Sequence, residues 1–367
     1  LLDRLCEHYR RTQQPQALFE ARKMQLRHRL DLPTIAPDDE PSLTQSQDQQ
    51  LETGLIEICD EVGRMMLRMG QVQEGWMYLQ PTGNKSAAAE ILRSITVTEE
   101  NYEDMIAVLL HQGVDVGRGF ELMLQHQGTC NSITFFDQAF ADQPPEIQRA
   151  AAEPLLLHLH GELMESLAAD VLRRRPDQAI QADETLDQVM ESRPWILAEG
   201  GYHLDATHLA SVIRISRVVQ DPKLQRIAWE LTQYGKRLGS QFQYPDDEPF
   251  VDFYPAHQTY YGILLGQNVD AGLTYFARKA QNCDPQVVGA APIEIYVDLL
   301  QRIGRHADAI AAVIDLVPED IPVARVLPTL VQLVKEHGDA EQAMQFCRDR
   351  DDPMAFVATK LAVMEAE

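Results

Sequence analysis

The residues with the most chemistry to offer are His203, Asp205, His208 and His257. Imidazole and carboxylate are ordinary ligands of zinc and non-haem iron, and a third ligand from a distant helix is common in such sites. His203 and His208 stand five apart, about 140° around a helix, so they converge only if His203 lies in a loop before it. Asp205 then falls where an N-cap would open the helix ATHLASVIRISRVV. A pocket around His203, Tyr254 and His257 could serve a metal-dependent enzyme or hold a small molecule, with His203, His208 and His257 as the candidate metal ligands. No HExxH, GxSxG or nucleophile-triad signature accompanies them.

Other patterns carry less. In PTGNKSAAAEIL, Gly83, Lys85 and Ser86 follow the order of a phosphate-binding loop, but Asn84 separates glycine from lysine and no strand precedes them, so Ser86 reads as a helix N-cap. Arg173, Arg174 and Arg175 precede Pro176, where cations meet the negative end of a helix. His158 and His160, two apart, point to different faces of a helix and cannot share a metal there. The five cysteines, Cys6, Cys59, Cys130, Cys283 and Cys347, are dispersed without a CxxC pair, which suits buried thiols in a reducing compartment. A cytoplasmic protein without a cofactor is therefore expected.

The elements that would position these residues are helices. Runs rich in Ala, Leu, Gln, Glu and Arg cover most of the 367 residues, and strand-like alternation of β-branched residues is scarce. One helical hairpin is written twice at a spacing of 34 residues. Gly304 follows IYVDLLQRI and precedes RHADAIAAVIDLVP, while Gly338 follows VLPTLVQLVKEH and precedes DAEQAMQFCRDRDDP. Each glycine stands five residues before an alanine, Ala309 or Ala343, and each unit runs into a proline, Pro318 or Pro353. Glycine frees the backbone at the turn, the small alanine allows close helix approach, and proline stops the second helix.

This pattern resembles the tetratricopeptide repeat. Laid on it, the first copy places Ile293, Tyr296, Val297 and Leu300 at core positions, and the second places Leu327, Leu330, Val331 and Val334. Similar units surround Gly70, with Cys59, Val62, Gly63, Met66 and the small Gly75, and Gly266, with Ala271 and Tyr275. The N-terminal segment repeats Leu2, Leu5, Cys6 and Tyr9 at core spacing before slipping by one residue ahead of Ala17. The resemblance implies an all-α, right-handed α-solenoid, a superhelix of about seven stacked hairpins whose concave face grips an extended peptide or a partner helix. The ligand-facing positions it implies are Glu57, Asp60, Arg64 and Arg68 in one unit, Glu294, Asp298 and Gln301 in another, and Arg325, Gln332 and Lys335 in a third. The basic clamp with which the family holds a terminal carboxylate is mixed or reversed in charge here.

A formal net charge of −24 disfavours nucleic acid, whose binding draws on clustered Lys and Arg. It suits a basic protein or peptide partner and equally suits solubility alone. No apolar run approaches the roughly 20 residues of a membrane span. The chain divides by composition into a basic hairpin over 1–30, an acidic linker or long loop over 31–50, helical repeats over 51–194, an irregular aromatic-rich segment over 195–265 and further repeats over 266–367. The linker could instead be a docking segment. The aromatic segment, which holds 11 of the 25 aromatic side chains, is expected to be a packed plug or a ligand pocket. A start without Met leads to the expectation that a segment precedes Leu1. The function expected is a non-enzymatic interaction scaffold, with the enzyme or small-molecule binder as the rival and a structural module of a longer polypeptide as a third reading.

Overall fold

The computed structural model describes residues 1–37, 43–318, 321–337 and 340–364, and among these the chain is all-helical, without a β-strand. Gly338, the expected turn of the second copy, lies outside the described residues. The helices gather into two compact units, Leu1–Leu155 and Leu156–Glu367. None of the described helices is long and apolar enough to cross a membrane.

The first unit holds α1 (Leu2–Arg11), α2 (Pro15–Arg29), α3 (Gln45–Arg68), α4 (Val72–Leu79), α5 (Lys85–Arg93), α6 (Tyr102–Ile106), α7 (Val116–Ala139) and the start of α8 (Pro145–Arg174). Sequential helices from α1 to α4 pack on one another around Cys6, Leu18, Ala21, Ile58, Val62 and Met66. The stretch read as linker contains the first turns of α3, because Thr44 and Gln47 form a reciprocal capping box that opens the helix ahead of Leu51. α5 is capped by Asn84, whose Oδ1 accepts from the Ala87 amide at 3.2 Å. Ser86, the expected cap, instead donates its hydroxyl to that oxygen at 3.1 Å. α6 starts at Tyr102 after a turn in which Asn101 Oδ1 accepts from the Thr98 amide.

The second unit continues with α9 (Leu186–Ser192), α10 (Ala206–Ile215), α11 (Pro222–Lys236), α12 (Phe253–Leu264), α13 (Val269–Asn282), the single turn α14 (Pro285–Val288), α15 (Ala291–Arg302), α16 (His306–Leu316), α17 (Val323–His337), α18 (Glu341–Asp349) and α19 (Pro353–Met364). Neighbours in sequence are neighbours in space from α10 to α13 and from α15 to α17. Gly304 makes the α15–α16 turn at φ 78°, a conformation that costs a side-chain-bearing residue energy. The small Ala309 is fully buried on α16.

The aromatic segment is more regular than its composition suggests. It is mostly α10, α11 and α12, and the chain leaves the helix chiefly between Leu238 and Asp252, a path that ends in an isolated antiparallel bridge between Pro245 and Asp252. Many of its rings are core, with Tyr234, Phe250, Phe253, Tyr254, Tyr260 and Tyr261 buried, whereas Tyr202 and Tyr244 are exposed. Phe250 reaches back from the irregular path to stack on His257 with ring centroids 4.1 Å apart.

Candidate functional site

The histidines are not brought together. His203 lies in the turn before α10, where its Nε2 is 3.0 Å from Asp170 Oδ2 near the end of α8 and its amide donates to the Tyr234 hydroxyl at 2.9 Å. Asp205 caps α10, its carboxylate accepting from the amides of Thr207 and His208. His208 sits half-buried on the first turn of α10. His257 is fully buried on α12 between Phe250 and Phe253. Tyr254 is buried too, and among the described residues its hydroxyl has no hydrogen-bond partner. Among the described residues no three His, Cys, Asp or Glu side chains are placed to hold one metal ion.

Several of the other charged candidates are engaged by neighbouring groups of the chain. Burial would push the Asp170 carboxyl up, but hydrogen bonds from His203, Arg173 and Arg174 prevail and hold it well below the usual carboxylate range. Arg173 and Arg174 thus tie down the last turn of α8, and the Arg174 guanidinium also lies over Trp195 at 4.7 Å. Lys85 donates to the Gln112 and Gly113 carbonyls at 3.0 and 3.1 Å, closing the turn after α6. On α3, Arg64 and Asp60 neutralise each other at 2.7 Å, while Glu57 and Arg68 are exposed.

Four of the remaining expected positions share one place. Glu294, Asp298 and Gln301 on α15 and Arg325 on α17 line a single cleft of about 430 Å³ in the second unit. Ile293 and Val297 supply its floor from α15, Val313 from α16, Val317 from just past its end, and Ile321 from the approach to α17. Periodicity explains the division of labour. Ile293, Val297 and Leu300 recur at helical spacing and face inward, which leaves Glu294 and Asp298, one turn apart, on the rim. Gln332 and Lys335 lie further along α17 and do not line the cleft. The amides of Gln332 and Gln301 both donate to Glu336, which links α17 to α15.

α15 is held in place by Arg302. Its guanidinium donates to the Arg217 carbonyl at 2.5 Å and the Tyr260 hydroxyl at 2.7 Å, and reaches the Val219 carbonyl as well. Tyr260 in turn donates to Asp298 Oδ2 at 3.2 Å, while Arg302 stays 3.7 Å from that carboxylate. Partial burial in the cleft raises the Asp298 pKa, and Arg302 and Tyr260 offset only part of the effect. Its side chain remains 45% exposed, so a carboxylate held on one side presents its other side to the cleft. Sequence reasoning missed Thr329 and Val326 on the α17 wall and the Glu336 link. The position of Thr329 four residues after Arg325 was the available signal. Set against models of protein families, curated proteins and solved structures, the chain matches none.

Proposed function

We propose that this chain is a tetratricopeptide-like helical-repeat scaffold, a superhelix of stacked hairpins that binds a peptide or a partner helix and performs no catalysis. The observation that carries the reading is the α15–α17 cleft, where an apolar floor lies between rims of charged and polar side chains at helical spacing. Such a groove suits recognition of an amphipathic helix, whose apolar stripe fills the floor while its flanks meet the rims. The close helix approach at Gly63 and Gly75, the buried Ala309 and the positive-φ turn at Gly304 support the repeat reading.

The test is a random-peptide display selection on the full chain, with the enriched peptides then titrated against the Val326→Arg variant. Val326 lines the cleft and is only partly buried, so arginine there obstructs the groove without opening the core. Weakening of about tenfold or more, roughly 1.4 kcal/mol, is expected. Enriched peptides that bind Val326→Arg as tightly as the parent would overturn the assignment of this cleft.

A further inference from the structure

The two rims of the cleft carry opposite charge. Glu294 and Asp298 stand one turn apart along α15, and Arg325 and Thr329 stand one turn apart along α17. Residues four apart on a helix lie one above the other, about 6 Å along the axis, so each rim is a short row parallel to its helix. Among the described residues neither Glu294 nor Arg325 has an ion-pair partner. Asp298 is close to Arg302, but that guanidinium is committed to the Arg217 and Val219 carbonyls and to Tyr260. Among the described residues Glu294 and Arg325 therefore face the cleft unpaired, and Asp298, held on one side by Tyr260 and Arg302, presents its other side to it.

We propose that the cleft takes an amphipathic helix with split flanks: an apolar stripe for the floor, Lys or Arg along the edge that meets Glu294 and Asp298, and Asp or Glu along the edge that meets Arg325. The inference rests on the scaffold reading and narrows it. A uniformly basic helix satisfies the α15 rim and sets a cation against Arg325. A uniformly acidic helix satisfies Arg325 and sets two carboxylates against two. Only the split helix meets both rows, and like charges in close apposition are selected against more strongly than opposite charges are rewarded.

The net charge of the chain makes this a demanding claim, because a field of −24 favours the uniformly basic helix at long range. At physiological salt that field is screened beyond about 8 Å, and contact between neighbouring charges decides. The probes are three designed helices with one leucine stripe and flanks of Lys and Glu, Lys and Lys, or Glu and Glu, titrated by fluorescence anisotropy at that salt. The split helix is expected to bind the parent chain about tenfold tighter than either uniform helix. The Arg325→Glu variant, which makes both rims acidic, should reverse the order and prefer the Lys and Lys helix. Arg325 is exposed and unpaired among the described residues, so the change leaves the fold intact, as circular dichroism would verify. Equal binding of all three helices, lost on Val326→Arg, would overturn the split-charge inference and leave the scaffold reading standing. A preference of the parent chain for the Lys and Lys helix, or no binding by any of the three, would also overturn it.

Discussion

His257, a residue that invites a catalytic reading, is packed fully into the aromatic core. Its Nδ1 faces the Phe253 carbonyl at 2.9 Å, and because a carbonyl can only accept, the proton resides on that nitrogen. Among the described residues Nε2 has no partner, and the ring is sealed between Phe250 and Phe253. Burial and the nearby Arg217 push its pKa down to about 3. The unfolded chain binds that proton near pH 6.5, so stability is complete above this value and falls with pH until about 3, at roughly 1.4 kcal/mol per unit. Unfolding free energies from urea titrations at pH 7 and pH 5 should differ by about 2 kcal/mol from this residue alone, and His257→Leu should lose most of that difference. An unchanged acid limb in the variant would show that other groups govern it. Residue roles set by local spacing could be read in the sequence, such as Asp205 as the cap of α10. The Asp170–His203 hydrogen bond could not, because 33 residues separate partners that only tertiary packing joins.

At the scale of elements, the decisive contacts are those where backbones nearly touch. A Cβ on Gly63 would come 2.8 Å from the Gly75 carbonyl, and one on Gly75 would come 2.8 Å from the Leu67 amide, so α3 and α4 meet through two glycines. Alanine gains up to about 1 kcal/mol over glycine inside a helix, but overpacking against backbone costs about 1–3 kcal/mol and cannot be relieved by rotating a side chain. Gly63→Ala should therefore lower stability by about 1–2 kcal/mol in chemical denaturation. Gly161→Ala, on α8 with nothing within 4 Å of the new methyl group, should raise it by about 0.5–1 kcal/mol. A stabilised Gly63→Ala protein would mean that the two helices can separate without loss. These glycines were legible because a small residue at a fixed distance from a helical turn marks the point where the second helix crosses closest to the first. Core registers were less so: α17 buries Leu330, Leu333 and Val334, whereas repeat spacing places Val331 inward instead of Leu333. A helix that packs on both α16 and α19 has two apolar faces, and periodicity alone does not assign residues between them. Proline is a poor guide to helix ends for a related reason, since Pro154 and Pro328 lie inside helices whose other residues carry the packing across them.

For the molecule as a whole, charge was the most legible property and the division into units the least. The boundary at Leu155 falls inside α8, a continuous helix from Pro145 to Arg174 with no change of composition to mark it. The charge has two opposed consequences. Fifty-six acidic side chains against 32 basic ones repel one another throughout the folded chain, and salt relieves that repulsion. Salt also weakens surface ion pairs such as Arg10–Glu61 and Lys279–Glu248, but exposed pairs contribute only about 0–1 kcal/mol each. An uncompensated excess of 24 negative charges should outweigh them, so raising sodium chloride from about 10 mM to 150 mM, which shortens the Debye length from about 30 Å to 8 Å, should raise the melting temperature by a few degrees. The same change should slow association of a basic-flanked helix while leaving its dissociation rate nearly constant, because long-range steering is screened and close contacts are not. Scanning fluorimetry and stopped-flow anisotropy on one salt series separate the two effects. A melting temperature that falls with salt would place the stability of this chain in its ion pairs, and the acidic excess would then serve steering alone.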